Sequence, residues 1–164
     1  MFSSLVSWCG TGDLAGDEAL VGIGFLDLYG GSGGVAIEAA SRGAAPVRLV
    51  ERDSRVAAVA RRNAEHVGAG VQVSTASVSA FLSGTADHPY DIVWLDPPYA
   101  LTEDELSAAV AAILDHGWLA EDGLLVVERS SRTPDPVLPP QLADVWGRRY
   151  GETTIHYATR KAAP

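Results

Sequence analysis

Short apolar runs and longer amphipathic stretches alternate along the chain. The apolar runs predict strands at 25–28, 47–50, 71–73, 90–95 and 124–127. The intervening stretches carry apolar residues at helical spacing and predict helices at 35–42, between Asp53 and Gly68, around 80–82, and after Thr102. Strands that alternate with helices predict an α/β fold, with a mostly parallel sheet and helices on both faces.

Both ends of the chain add further elements. Apolar residues from Phe2 to Cys9 share one helical face, ahead of a polar, glycine-rich loop at 10–24. After a proline-rich crossover at 134–140, alternating strands at 145–150 and 153–159 predict a hairpin that adds an antiparallel edge. We expect one domain over 1–164, in which the helix and loop of 1–24 lead into a Rossmann-like core at 25–164.

Two of the predicted helices carry clear capping signals. Asp53 is a typical N-cap and Gly68 a typical end, and the helix between them has a predicted inner face of Val56, Val59, Ala60, Asn63 and Val67. Thr102 and Glu105 have the spacing of a capping box, and their helix has a predicted inner face of Leu106, Val110, Ile113 and Leu114.

Composition narrows the class of protein. The 164 residues carry 21 acids against 12 bases, a net charge of −9, which argues against a general nucleic-acid coat but permits an enzyme with one small basic face. No apolar run is long enough to span a bilayer, and no secretory signal is evident. The single cysteine, Cys9, is interpreted as a core residue and fits a reducing compartment, so a cytoplasmic protein is expected.

The most informative motif is Asp96-Pro97-Pro98-Tyr99, which directly follows a strand. The prolines remove backbone donors, so the loop offers carbonyl oxygens and one carboxylate to an amino group. Tyr99 offers a ring on which a base can stack, worth roughly 1–3 kcal/mol. The pattern favours transfer of a methyl group to an exocyclic nitrogen over a plain diproline turn.

A second motif indicates a cofactor site. Asp27 and the glycines at 30–34 follow the first strand, and Glu51 ends the second, where an acid typically binds ribose hydroxyls. Gly31, Gly33 and Ala36 also fit the pattern G-x-G-x-x-A, a looser form of the glycine motif of dinucleotide-binding proteins. A nicotinamide-dependent oxidoreductase is therefore an alternative function. Asp27 is unfavourable beside a pyrophosphate but suits the cationic tail of S-adenosylmethionine.

Taken together, these motifs resemble the bacterial 16S rRNA guanine-N2-methyltransferases of the RsmD type. The resemblance covers most of the chain and is carried by residues 27–33, 38–39, 41–44, 51–53, 63, 96–99 and 150–153. It implies a seven-stranded class I methyltransferase fold, with the last-but-one position in the sheet taken by an antiparallel strand. It also implies S-adenosyl-L-methionine as methyl donor and one guanine of 16S rRNA as acceptor, presented within an assembled or nearly assembled small subunit.

The resemblance also assigns residues. Asp96, Pro97, Pro98 and Tyr99 are expected to hold the target base. The expected cofactor contacts are Asp27, Tyr29, Gly30, Gly31, Ser32, Gly33, Glu51, Arg52, Ser77 and Asp96. Two departures from the family are expected to matter. Ser77 replaces an acid that contacts the adenine, and the chain, which starts at Met1, is expected to lack the family's segment before the position of Phe2, by truncation or a late start.

Contact with RNA requires local positive charge. The expected contacts, besides Tyr99, are Arg129, Arg132, Arg148 and Arg149, with Arg160 and Lys161 as further candidates. The four histidines have no ligand spacing, so no metal is expected. We also expect a monomer that does not contact membranes.

Three alternatives remain open from the sequence. The first is a DNA or other RNA amino-methyltransferase with the same Asp-Pro-Pro-Tyr chemistry, although a DNA enzyme usually needs a separate recognition region. The second is the NAD(P)-dependent oxidoreductase. The third is a non-catalytic binding module that keeps the fold.

Overall fold

The computed structural model describes residues 2–13 and 15–161. Met1, Leu14 and 162–164, which the predicted domain includes, lie outside the described residues. The strands are β1 (Phe25–Leu28), β2 (Val47–Glu51), β3 (Val71–Thr75), β4 (Tyr90–Leu95), β5 (Leu119–Ser130), β6 (Leu142–Tyr150) and β7 (Thr153–Arg160). The helices are α1 (Phe2–Trp8), α2 (Gly34–Ser41), α3 (Ser54–Val67), α4 (Val78–Leu82) and α5 (Glu103–Asp115).

The seven strands form one sheet in the order β3-β2-β1-β4-β5-β7-β6. Strands β1 to β5 are parallel neighbours, whereas β7 runs antiparallel between β5 and β6. The predicted sheet and its antiparallel hairpin are therefore confirmed. Because β1, β2, β4 and β5 are parallel, the residues that follow them meet at one edge of the sheet, where α/β proteins bind ligands.

Apolar side chains cover both faces of the sheet. On one face, buried residues of α1, α2 and α3 pack against Phe25, Trp94 and Tyr157. On the other face, buried residues of α4 and α5 pack against Leu28, Val93 and Val127. The inner face predicted for α5 is confirmed, and so is its capping box between Thr102 and Glu105.

Helix α3 begins and ends as predicted, but its predicted inner face is partly wrong. Asp53 accepts hydrogen bonds from two backbone N–H groups of the first turn, and Gly68 ends the helix in the left-handed region. The fully buried residues are Ala57, Ala60 and Ala64, whereas Val67 is 55% exposed. Small residues face the sheet because α3 lies close to the glycine loop: a Cβ at Gly33 would lie 3.5 Å from that of Ala60.

Strand β5 extends well beyond the predicted 124–127. It begins at Leu119, and its register with β4 shifts between Tyr90 and Ile92. Asp122 adopts a left-handed conformation at this irregularity. The polar residues Glu121 and Asp122 and the following Gly123 interrupt the apolar pattern, so the sequence does not predict the early part of the strand. Within the described part of the chain, no helix is both long and apolar enough to cross a membrane.

Candidate cofactor and base-binding site

The loop after β1 is shaped by close contact with β2. Gly30 faces Leu49, and a Cβ at Gly30 would lie 2.3 Å from Leu49 Cγ, which leaves no space for a side chain. Tyr29, Gly31 and Gly33 have φ angles of 62°, 54° and 94°, so the chain reverses through left-handed conformations before α2 begins. Tyr29 tolerates this conformation while its half-buried ring packs on the α4–α5 side of the core.

The backbone donors of this loop are already used by the protein. Gly31 N–H donates to Glu51 Oε2 at 3.1 Å, and Gly33 N–H donates to the Gly30 carbonyl at 2.9 Å. Ala36 N–H donates to Asp27 Oδ2 at 3.1 Å. These are the three positions that fitted the dinucleotide pattern, and a pyrophosphate would need such N–H groups. The geometry therefore argues against the oxidoreductase alternative.

Carboxyl groups crowd this edge of the sheet and disfavour one another's ionised form. Asp27 is 1% exposed, and burial, opposed by the Ala36 N–H and reinforced by the charges of Asp96 and Glu51, raises its pKa to about 8. Partial burial raises the pKa of Asp96, although the residue is also exposed to solvent, and burial together with the Asp96 charge raises the pKa of Glu128. A cationic ligand would relieve the repulsion among these groups.

Glu51 connects the glycine loop to the start of α3. Its Oε2 accepts from Gly31 N–H, and its Oε1 accepts from Asp53 N–H at 2.8 Å. Arg52, beside it, is exposed. On the other side of the loop, Asn63 Nδ2 donates to the Ser32 carbonyl at 3.0 Å, which fixes an exposed residue at the loop's tip.

Ser77 lies at the carboxyl end of β3, next to the end of β2. Its hydroxyl caps α4 by accepting from Ala80 N–H at 3.2 Å. Ala76 N–H, immediately before it, donates to the Glu51 carbonyl at 3.1 Å, so the two strand ends are held together. Ser77 is exposed and retains a hydroxyl at the position expected for an adenine contact.

The Asp-Pro-Pro-Tyr loop forms one wall of a pocket. Asp96 N–H donates to the Leu28 carbonyl at 3.3 Å, which anchors the loop beside the end of β1. Pro97 is buried and Asp96 is exposed, while Tyr99 is 93% exposed. Residues 96–99 and 128–130 line a pocket of about 290 Å³, together with Thr133 and Thr153.

The predicted RNA-binding arginines do not share one environment. Arg129 is 9% exposed, lines the pocket, and forms an ion pair with Glu103 at 3.5 Å.

The other predicted cations lie outside the pocket lining. Arg132 is exposed and pairs with Glu152. Arg148 and Arg149 are exposed on β6, where Arg149 Nε donates to the Gly151 carbonyl. Arg160 and Lys161 donate to backbone carbonyls, of Leu119 and Pro140 respectively.

Sequence reasoning missed part of the pocket wall. Glu128, Ser130, Thr133 and Thr153 were assigned no role, although all of them line the pocket. Glu128 follows the apolar part of β5, just as Glu51 ends β2, and the same rule about strand ends would have found it. Thr153 enters from the hairpin, and no local sequence signal indicates that.

Two other predictions concern cysteine and metals. Cys9 is partly buried against the core, and burial, with the Asp91 charge, raises its thiol pKa to about 11, which suits a packing residue. Within residues 2–13 and 15–161, no group of His, Cys, Asp and Glu side chains has an arrangement suited to a metal ion.

Comparison with known proteins places this chain in a family. The family model described as "Conserved hypothetical protein 95" matches residues 12–159. The chain belongs to this family. Over 115 residues it is 33% identical to Ribosomal RNA small subunit methyltransferase D of Escherichia coli (strain K12), a match that covers 70% of the chain and 57% of that relative. The match to protein YlbH of Bacillus subtilis (strain 168) is 30% identical and covers 79% of the chain and 72% of the relative.

Solved structures agree with this assignment. The Escherichia coli protein yhhF superimposes with a TM-score of 0.81 at 27% identity, over 98% of this chain and 85% of that one. The T. thermophilus 16S rRNA N2 methyltransferase RsmC, solved in complex with AdoMet and guanosine, superimposes with a TM-score of 0.71 over 97% of this chain and 43% of that one. At 20% identity, the second likeness concerns the fold alone. The fold is thus that of the class I methyltransferases.

Proposed function

We propose that this protein is an S-adenosylmethionine-dependent methyltransferase that modifies the N2 amino group of a guanine in small-subunit ribosomal RNA. One observation carries the proposal. The acidic side chains of Asp27 and Glu51 lie at the same edge of the sheet as a loop in which Asp96, Pro97 and Pro98 offer a carboxylate and carbonyl oxygens as acceptors. The chain spans 57% of the length of its Escherichia coli relative, whose name states small-subunit rRNA methylation.

The residues present fit S-adenosylmethionine. Its sulfonium and ammonium groups suit the carboxylates of Asp27 and Asp96, and Gly30 permits a close approach to the backbone. Glu51 is placed to accept from ribose hydroxyls, with Arg52 beside it and Ser77 near the expected adenine. When bound, the cofactor supplies an electrophilic methyl group, while Tyr29 and residues 30–33 fix its methionine end.

Asp96 and Pro97 orient the acceptor nitrogen. The guanine N2 is a poor nucleophile because its lone pair is delocalised into the ring. Hydrogen bonds from its hydrogens to the Asp96 carboxylate and the Pro97 carbonyl favour a more tetrahedral nitrogen, aimed at the methyl group. Positioning of this kind supplies most of the acceleration, and the exposed Asp96 can pass the released proton to solvent.

The target base has to leave its stack to reach the pocket. Tyr99, with almost all of its side chain exposed, is available to receive the base, and Pro98 stiffens the loop beneath it. Arg132, Arg148 and Arg149 are the exposed cations that would contact the RNA backbone. We propose a cytoplasmic monomer that acts on 16S rRNA in an assembled or nearly assembled small subunit.

The test is transfer of radiolabelled methyl from S-adenosylmethionine to small subunits from cells that lack this gene, followed by digestion to nucleosides. Label in N2-methylguanosine is expected, and it should be lost with Asp96→Ala but kept with Asp104→Ala, an exposed acid on α5. Label in an adenine or cytosine derivative would favour another amino-methyltransferase. Cofactor binding without label would indicate a non-catalytic module, and binding of NAD(P) instead would restore the oxidoreductase.

A further inference from the structure

The environment of Arg129 differs from that of an ordinary surface arginine. Its side chain is 91% buried, at the end of β5, and lines the same pocket as Asp96 and Tyr99. Among the residues that the structure describes, its one side-chain acceptor is Glu103, at 3.5 Å, and its Nε has no hydrogen-bond partner. A guanidinium has five N–H donors, so most of them remain available.

Buried donors without acceptors are costly, and a ligand in the pocket is the natural source of an acceptor. The other polar groups of the pocket are of the opposite kind. The carboxylates of Asp96 and Glu128 are acceptors, and burial together with the Asp96 charge raises the pKa of Glu128. The pocket therefore presents acceptors from Asp96 and Glu128 beside a donor from Arg129.

This arrangement matches one edge of guanine. The Watson–Crick edge of guanine carries two neighbouring donors, the N2 amino group and N1–H, followed by one acceptor, O6. Adenine and 2,6-diaminopurine have an amino group in place of O6 and an acceptor at N1. A pocket with Asp96, Glu128 and Arg129 therefore accepts the guanine edge and opposes the other two.

We propose that Arg129 is the specificity-determining residue of the base pocket, and that its guanidinium donates to O6 of the target guanine. The proposal rests on the function proposed above. Glu103 has a separate task, because its other oxygen accepts from Val137 N–H at 3.1 Å and joins the start of α5 to the proline-rich crossover. Glu103 thus orders the pocket walls, while Arg129 reads the base.

The test compares guanine with 2,6-diaminopurine, which keeps the N2 amino group. Each base is placed at the methylated position of a synthetic RNA, and the ratio of kcat/KM is measured for the two. The wild type should prefer guanine by at least about tenfold, the lower end of what a good base contact provides. Arg129→Gln should reduce the preference to about threefold or less, while Arg62→Gln, on the exposed side of α3, should leave it unchanged.

Glu103→Gln separates recognition from a structural role. It removes the ion pair but leaves the guanidinium, so the preference for guanine should stay within about twofold of the wild type. An equal loss of preference in Glu103→Gln and Arg129→Gln would overturn the proposal, as would full preference in Arg129→Gln. If Arg129→Gln fails to fold, Arg129→Lys keeps a charge opposite Glu103 without the planar fork and should also lose the preference.

A binding measurement distinguishes failure of this proposal from failure of the proposed function. The 5′-monophosphates of guanosine and of 2,6-diaminopurine riboside are titrated by NMR into protein saturated with S-adenosylhomocysteine. Guanine-selective binding that depends on Arg129, without methyl transfer to RNA, would support the base reading and refute the function. Methyl transfer without any base preference would support the proposed function and refute the role of Arg129 in base recognition. The absence of both selective binding and methyl transfer would refute both proposals.

Discussion

Gly30 lies against Leu49 with no room for a side chain, since a Cβ at Gly30 would be 2.3 Å from Cγ and 2.6 Å from Cδ1 of Leu49. This contact fixes the height of the glycine loop above β2. It also sets the distance at which Glu51, two residues after Leu49, accepts from Gly31 N–H. The loop and the acid that would bind the ribose are therefore one structural unit.

Gly30→Ala should lower the free energy of unfolding by about 1–3 kcal/mol, because the added methyl group overpacks a site with no free volume. Urea unfolding followed by circular dichroism measures this change. Gly34→Ala is the matched control: a Cβ there meets nothing within 4 Å, and α2 should be at least as stable. Equal stability of the two variants would contradict the packing argument.

Glu51→Gln should weaken S-adenosylmethionine binding by at least about tenfold. The carboxylate holds Gly31 and Asp53 with separate oxygens, and an amide keeps one acceptor while presenting a donor to the other N–H group. Isothermal titration calorimetry measures the affinity. Glu65→Gln, exposed on α3, should bind the cofactor normally; an unchanged affinity in Glu51→Gln would remove Glu51 from the site.

Asp27 should make the protein less stable as the pH rises. Its pKa in the folded protein, about 8, lies above the ordinary 3.8, so between these values the folded state binds more protons than the unfolded state. The free energy of unfolding then falls with rising pH, by at most about 1.4 kcal/mol per pH unit. Below pH 4 this stabilisation is fully present, and above pH 8 it is lost.

Urea unfolding between pH 5 and pH 8 tests this dependence. Asp27→Asn is uncharged throughout and should have a flatter profile than the wild type, while its oxygen can still accept from Ala36 N–H. Asp17→Asn, an exposed site, should keep the wild-type slope. Parallel profiles for the wild type and Asp27→Asn would show that Asp27 is already ionised in the folded state over this range, so that its pKa is not raised.

Tyr99→Ala should reduce kcat/KM for RNA by roughly ten- to a hundredfold, the range expected for loss of one base-stacking contact. The affinity for S-adenosylmethionine should not change, because the side chain is 93% exposed and points away from the core. Tyr99→Phe keeps the ring and should retain most of the activity. An active Tyr99→Ala enzyme would mean that the base stacks elsewhere.

Reversal of charge at Arg148 and Arg149 should weaken RNA binding and flatten its salt dependence. Each phosphate contact contributes about one to the slope of log K against log salt, so a loss of about two is expected. Filter binding over a range of salt concentrations measures the slope. Arg55→Glu with Arg62→Glu on α3 changes the net charge equally and should preserve the slope.

Local signals were sufficient to predict the frame of the fold. β1 and β4 have the predicted bounds because both strands are buried and apolar, and Thr102 with Glu105 fixed the start of α5. The inner face of α3 was assigned to valines, whereas alanines are buried, because tertiary contact with the glycine loop overrides hydrophobic periodicity. The early part of β5 was missed because Asp122 interrupts the pattern.

The site was predictable only where it is contiguous in sequence. The glycine loop, Glu51 and the Asp-Pro-Pro-Tyr loop each follow a strand and were named. Arg129 was expected to be a surface cation, and its burial depends on Glu103, which lies 26 positions earlier in the chain. Such pairings arise from the packing of α5 against β5, which no local pattern encodes.

The position of β7 has a consequence for how the chain is made. β7 is the last strand in chain order, yet it pairs with β5 from Leu124 to Ser130 and is also the sheet partner of β6. During synthesis, the open edge of β5 therefore stays unpaired until residues 153–160 have left the ribosome. A nascent chain halted before Thr153 would carry an apolar strand edge able to pair with other chains, so completion of the hairpin ends its period of greatest risk of aggregation.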